Sequence, residues 1–283
     1  MEDKKMYAVL MCARNEGKII AKSLDRILNL TIKPNYIVVV DDGSSDNTPE
    51  ILNQYKEKHG IIVLTREDRG YSAVSSSVMA NVYNTGLRFL RKKEWEFLFI
   101  VPADMRLPKD YAEKLINRME GYGVASGHPD RPELMKSFNP DHPIGGGRMI
   151  RREIFDFMGG LYPLNFDYES SVIHCARYLG YDVGHFEDIK YSIDRISGKG
   201  HPTKYIEWGR AMKDANYHPF YLLGRSIKEI IIRRRLIRGI QFIIGYIVQP
   251  SSDYPDYSLF LYHYQKNQVK LIITRLLKKF RLY

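Results

Sequence analysis

Four short apolar runs, separated by segments of helical period, constrain this chain more than any other feature of its sequence. Residues 6–11 (Met-Tyr-Ala-Val-Leu-Met), 36–40, 60–64 and 97–101 read as buried strands. Between the first two, Ile19, Ile20, Leu24, Ile27 and Leu28 recur at helical spacing. Thr48-Pro49 supplies an N-cap followed by proline at the first helical position, and opens a helix over 50–59. A further helix is expected over 76–91. Strands alternating with helices call for an α/β fold, with a mostly parallel sheet and helices on both faces.

The middle of the chain is less regular. Residues 127–147 hold four prolines, four glycines and two histidines, the composition of an irregular excursion. Helices are expected over 150–157 and 169–179, and a late strand over 181–186. Residues 196–203 carry Ser197-Gly198-Lys199-Gly200-His201-Pro202 and read as a flexible loop. From Tyr205 onward the chain turns helical and basic.

A chain of 283 residues is long enough to bury a sizeable core. Two cysteines, Cys12 and Cys175, exclude a disulfide scaffold and fit no CxxC pattern, so a reducing, cytoplasmic setting is expected. The first five residues lead directly into a strand, with no apolar segment of signal-peptide type. No apolar run reaches the ~18–20 residues that span a bilayer. The net charge of +10 is unevenly distributed: residues 221–283 hold 12 Lys/Arg against 3 Asp/Glu, and the preceding 220 hold 31 against 30. The chain therefore divides into a nearly neutral body, 1–220, and a basic helical extension, 221–283.

In an open α/β sheet, ligands bind beyond the carboxyl ends of the strands. The first strand is followed by Ala13-Arg14-Asn15-Glu16, the second by Asp41-Asp42-Gly43-Ser44-Ser45-Asp46-Asn47-Thr48, and the fourth by Pro102-Ala103-Asp104. Carboxylates thus gather where a ligand would lie. They suit a divalent cation held through oxygen, or hydrogen bonds to a nucleobase and ribose. Neither GxGxxG after the first strand nor GxxxxGK[ST] anywhere is present, which argues against a dinucleotide oxidoreductase and a P-loop NTPase. A plainer account of 41–48 is a turn with a helix cap, but two adjacent acids at a strand end exceed what a turn needs.

The run Val38-Val39-Val40-Asp41-Asp42-Gly43-Ser44-Ser45-Asp46-Asn47-Thr48 resembles the signature of the family 2 inverting glycosyltransferases, which have the GT-A fold. Asn15-Glu16 resembles the pair that follows the first strand in that family. Residues 80–86, with Asn84, loosely resemble its Ala-x-Asn-x-Gly helix start. Gly159-Gly160, Asp167-Tyr168-Glu169 and Leu179-Gly180-Tyr181 fall in the order of its later motifs. There are departures. Pro102 stands where the first acid of Asp-x-Asp would be, so metal ligation would rest on Asp104. Tyr168-Glu169 replaces Glu-Asp, so Glu169 occupies the base position, with Asp167 its rival. The Gln-x-x-Arg-Trp motif of processive members is absent, which points to single-sugar transfer.

The resemblance implies a nucleotide-diphosphate sugar donor, UDP- or GDP-linked, and Mg²⁺ or Mn²⁺. It implies donor contacts from Ala13, Arg14, Asn15, Glu16, Asp41, Asp42, Gly43, Asn84, Asp104 and Lys199, with His201 a second candidate metal ligand. The acceptor would be a glycan or a lipid-linked hydroxyl. Two other readings remain open on the residues alone: a nucleotidyltransferase that makes a nucleotide-sugar, and a catalytically inactive nucleotide-sugar-binding protein.

In the extension, Arg233, Arg234, Arg235 and Arg238 precede an apolar run of ten residues, 239–248, broken only by Gln241; it is too short to span a bilayer but long enough to lie in its interface. Further on, Val269, Ile272, Ile273, Leu276 and Phe280 share a helical face, with Lys270, Lys278 and Arg281 largely on another. Basic amphipathic helices of this type lie on anionic membrane surfaces, which would make the protein peripheral on the inner membrane face. A helix packed on the body with a charged outer side is the simpler alternative. No recognised nucleic-acid module is visible, and no nucleic-acid partner is expected.

Overall fold

The computed structural model describes residues 5–70, 76–130, 140, 142–193, 204–251 and 253–280. At its centre is a sheet of β1 (Tyr7–Ala13), β2 (Tyr36–Asp41), β3 (Ile62–Thr65), β4 (Phe97–Ile100), β5 (Met105–Arg106), β6 (Tyr122–Pro129), β7 (Arg148–Arg151) and β8 (Asp182–Ile193). Their spatial order is β3-β2-β1-β4-β7-β6-β8-β5. The first four strands are parallel. They read as continuous apolar runs because both of their faces are covered. Tyr7, Val9 and Met11 of β1 pack with helices α1 (Ile20–Leu28), α2 (Thr48–His59) and α4 (Tyr111–Ile116). The intervening Ala8 and Leu10 pack with α3 (Ser76–Leu90), α5 (Arg152–Phe157) and α6 (Tyr168–Tyr178) on the other side.

The path of the chain places the site. It runs outward from β1 through β2 to β3, then crosses back over β1 to β4. The order reverses between β1 and β4, and a crevice opens beyond their carboxyl ends at such a switch point. Register brings the chemistry into line: Ala13 pairs with Asp41, the amide of Asp42 donates to the Ala13 carbonyl at 2.9 Å, and the amide of Val101 donates to Leu10 at 3.1 Å.

The other half of the sheet is mixed. β7 is antiparallel to β4 and β6, β8 is parallel to β6, and β5 closes the edge antiparallel to β8. Two expectations shift here. Ile150 and Arg151 end β7 and do not begin a helix, which starts at Arg152. The strand Arg-Met-Ile-Arg is too short to display its period. β8 runs past the expected 181–186 as far as Ile193, because a register shift opposite Gly127 and His128 breaks its alternation.

A helical layer completes the molecule: α7 (Lys204–Asp214), α8 (Pro219–Ile227), a π-helical turn (Lys228–Ile232), α9 (Leu236–Val248) and α10 (Asp256–Phe280). It begins with α7, ahead of the expected division at 221. Helices α7 and α9 cross at glycines. A Cβ on Gly209 would stand 2.2 Å from the Phe242 carbonyl oxygen, and one on Gly245 would stand 2.0 Å from that of Ile206. Met212, Leu222 and Phe242 form the layer's own core. No helix among the described residues is long and apolar enough to cross a membrane.

Candidate active site

The loops that follow β1 and β2 are knitted into one platform. Asn15 adopts φ 55°, a left-handed conformation that Asn tolerates better than most residues. Its amide donates to Ser44 Oγ at 2.9 Å, and its side-chain oxygen accepts from the Ser45 amide at 2.8 Å. The Glu16 amide donates to Thr48 Oγ1, and the Gly17 amide to Asp46. Asp46 also accepts from the amide and hydroxyl of Thr48. Burial acts upward on its carboxyl, but these donors hold it below the ordinary carboxylate range. Gly43 has φ +69°, and a Cβ there would stand 2.5 Å from the Asp68 backbone. Arg14 reaches over this turn and donates to the carbonyls of Asp42 and Gly43 and to the Asp68 carboxylate at 2.6 Å. Arg14, Asn15 and Gly43, expected as donor contacts, thus shape the platform.

The two adjacent acids differ. Both are buried. Asp42 is gripped in a fork by Arg69 and also meets Arg66 Nε at 3.1 Å. Arg66 in turn donates to Asn81 and Thr85 of α3. The sequence reading gives Asp42 to the nucleotide and overlooks both arginines. The available signal was that a buried carboxylate needs a cation, and the end of β3, beside β2, supplies two. Asp41 accepts from the amide and hydroxyl of Ser44 through Oδ1, while its buried Oδ2 has no hydrogen-bond donor among the described residues. A buried acceptor without a donor is uncommon and marks a place for an incoming one.

Across the switch point, Asp104 is half-buried just beyond β4. The run Gly145-Gly146-Gly147 lies between the end of β4 and α6. A Cβ on Gly146 would stand 3.0 Å from the Pro102 ring, and one on Gly145 would stand 3.0 Å from Glu169 Oε1. Glycine therefore lets the backbone pass between the end of β4 and the Glu169 carboxylate. Arg148 anchors this run. It is buried and donates to the carbonyls of Pro143, Ile144 and Glu169. Glu169 is exposed in the first turn of α6 and accepts from the Tyr168 hydroxyl at 3.1 Å. Below it, the rings of Tyr83, Tyr162 and Tyr168 pack 5.4–6.2 Å apart, and burial pushes their hydroxyls up, so they stay protonated. Neither Arg148 as an anchor nor this tyrosine cluster was expected.

Two other expectations change. Asn84 is buried, donates to the Tyr162 carbonyl and accepts from the Tyr162 amide, both at 2.8 Å. It latches α3 to the segment before α6. Asp167, the rival base, is buried, and burial pushes its carboxyl well above the carboxylate range. Its neighbour His174, 3.8 Å away, is pushed down to about 3, mainly by burial, with Arg177 and His142 adding to the effect. Both are enclosed away from solvent, which leaves Glu169 as the accessible carboxylate. Lys199 and His201 lie outside the described residues.

No group of three His, Cys, Asp or Glu side chains among the described residues could hold a metal. The single carboxylate at Asp104 nevertheless fits a hard divalent cation. Such ions keep water ligands and take one or two carboxylates together with substrate phosphates.

A family model described as glycosyl transferase family 2 matches residues 8–175. Glycosyltransferase GlyA of Streptococcus pneumoniae is 29% identical over 123 residues, 43% of this chain and 16% of that protein. A poly-beta-1,6-N-acetyl-D-glucosamine synthase of Staphylococcus aureus is 27% identical over 124 residues, 42% of this chain and 27% of the synthase. The matches thus span less than a third of either relative. Among solved structures, the mannosyltransferase PcManGT from Pyrobaculum calidifontis, in complex with GDP-Man and Mn²⁺, aligns with a TM-score of 0.59 at 18% identity, covering 96% of this chain and 87% of that one. S. aureus TarS 1-349 in complex with UDP-GlcNAc aligns with a TM-score of 0.57 at 16% identity, covering 85% and 79%. The matched segment runs from β1 into α6 and includes every strand end described above, and the chain belongs to glycosyl transferase family 2, with the GT-A fold of these neighbours.

Proposed function

We propose that this protein moves a single sugar from a UDP- or GDP-linked donor to an acceptor hydroxyl, on a glycan or a lipid-linked carrier, with inversion at the anomeric carbon. The observation that supports the reading is the buried Asp41 Oδ2, without a donor among the described residues, at the carboxyl end of β2, with Asp104 just beyond β4 and the exposed Glu169 against the glycine run that passes the end of β4. Asp41 Oδ2 would accept from the nucleobase or a ribose hydroxyl. Asp104 would hold Mg²⁺ or Mn²⁺, which when bound neutralises charge on the departing diphosphate. Glu169 would take the proton of the acceptor hydroxyl as its oxygen attacks from the face opposite the diphosphate. One displacement with one base inverts the centre, as in inverting glycosidases. The donors carried by the two structural neighbours, GDP-Man and UDP-GlcNAc, support this donor class.

Calorimetric titration with UDP and with GDP, with and without Mn²⁺, tests the proposal. The expected result is metal-dependent binding of one nucleotide, weakened at least ~10-fold by Asp104→Ala, the loss of one charged ligand contact. Absence of binding to either nucleotide overturns the donor assignment. Release of pyrophosphate from a nucleoside triphosphate and a sugar phosphate would favour a nucleotidyltransferase instead.

A further inference from the structure

The helical layer carries an aliphatic surface that its own packing leaves outside. Gly239, Phe242 and Gly245 turn α9 inward. Leu236, Ile237, Ile240, Ile244, Ile247 and Val248 lie on the opposite side, spaced so that they form one stripe without a charged residue. The extremes are far from marginal: Ile237 and Ile247 are each 72% exposed and Leu236 58%. Ile231, 67% exposed, and Ile227 are further exposed apolar residues on the π-helical turn and α8 that precede it. Single exposed apolar residues are ordinary, but six along one side of a single helix mark an interaction surface.

Charge says what that surface meets. Arg233, Arg234 and Arg235 are exposed where the π-helical turn passes into α9. Arg234 has φ 52°, a left-handed conformation that non-glycine residues adopt at a cost. Arg233 pairs with the buried Glu229 at 2.6 Å, so the turn presents Arg234 and Arg235 as exposed cations at the N-terminal end of the stripe. The segment 221–283 as a whole holds 12 basic against 3 acidic residues. A second copy docked through this face would bring two such cationic segments together, which repulsion opposes. We infer that the face formed by α9 and the preceding turn docks on an anionic lipid bilayer, with the aliphatic stripe among the acyl chains and the arginines on the headgroups. Interfacial helices combine apolar burial with cation–headgroup attraction in this way. Of the two segments expected at a membrane surface, 239–248 and the last, the exposed stripe favours the first. The inference does not depend on the transferase reading.

Sedimentation of the full chain with vesicles tests it, using phosphatidylcholine alone and phosphatidylcholine with phosphatidylglycerol, at low and high salt. Binding is expected to the anionic vesicles at low salt and to weaken as salt rises. The double variant Ile237→Glu/Ile247→Glu, and separately Arg234→Glu/Arg235→Glu, should each reduce vesicle affinity by ~10-fold or more. All four positions are exposed, so circular dichroism and nucleotide titration should match the parent protein. Nucleotide binding retained with vesicle binding absent overturns this inference alone. Vesicle binding retained with nucleotide binding absent overturns only the transferase reading. A dimer in sedimentation velocity that Ile237→Glu/Ile247→Glu dissolves, without vesicle binding, would assign the face to a second copy and also overturn the inference. So would equal affinity of the double isoleucine variant for anionic vesicles.

Discussion

The sheet and the helical layer solve the problem of burial in opposite ways. Each face of the sheet carries a large cluster, with Phe97, Phe99, Leu24 and Tyr111 on one side and Leu10, Val40, Leu98 and Val172 on the other, all fully buried. The helical layer encloses three residues of its own and leaves a stripe of isoleucines in contact with solvent. Its close crossing depends on glycine, which brings backbones together but buries little side chain. Between the two regions lies a polar joint: the Phe166 amide, ahead of α6, donates to Asp214 of α7, which also accepts from Gln249. The difference teaches where rigidity is needed. The strand ends that carry Asp41 and Asp104 rest on the deep core, whereas the layer offers surface to a partner.

The largest expected effect sharpens this contrast. Phe99→Ala should cost ~3–5 kcal/mol in urea unfolding, as for aromatic truncation in a close-packed core. Phe242→Ala should instead accelerate amide exchange across 204–250 while nucleotide affinity holds. Equal loss of nucleotide binding in the two variants would show the regions to be one cooperative unit. Next in size, Glu169→Gln should lower kcat by ~10²-fold or more at unchanged donor affinity, the scale of a lost general base. Asp167→Asn should leave turnover near that of the parent; the reverse pattern would exchange their roles.

Asn84→Ala should destabilise the fold by about 1–3 kcal/mol, because it strands the amide and carbonyl of Tyr162, with the nucleotide Kd unchanged. A weakened Kd at full stability would return Asn84 to the donor site.

The enclosed Asp167–His174 pair titrates. His174 is held below its ordinary value, so its contribution is present above an unfolded pKa of about 6.5 and is lost as pH falls toward about 3. His174→Phe should flatten that acid limb, which has a slope of up to about 1.4 kcal/mol per pH unit. Asp167 is shifted upward and acts in the opposite sense. Its contribution is present below the unfolded carboxylate pKa and is lost as pH rises, so Asp167→Asn should stabilise the protein at neutral pH. Denaturant unfolding across pH checks both. Smallest, Arg234→Gly should relieve the left-handed strain and raise the stability of the helical layer by under ~1 kcal/mol, because glycine's greater freedom when unfolded offsets part of the gain. A thermal melt reads it.

How much of this was legible in advance varies with distance along the chain. The parallel half of the sheet was readable because strands covered on both faces are continuous apolar runs, and the helices between them keep one period. The second half was harder. β7 has four residues, and β8 is interrupted opposite Gly127 and His128, so neither displays an alternation. In the site, the position of the acids at strand ends was visible, but their state was not. Asp42 and Asp41 are neighbours with the same burial. Only the approach of Arg66 and Arg69 makes one a paired structural carboxylate and leaves the other with an open oxygen.

The amino-acid sequence by itself determined the α/β alternation, the carboxylates beyond β1, β2 and β4, and the cationic character of the last sixty or so residues. Each is a local property, written in apolar period, adjacency or net charge. The tertiary structure alone decided that Glu169 is open while Asp167 is enclosed, that Asn84 closes on Tyr162, and that α9 faces outward with its isoleucines. These depend on which segments lie opposite one another once the chain has crossed back over β1. Burial and hydrogen-bond partners are set by that path, and no local period encodes it.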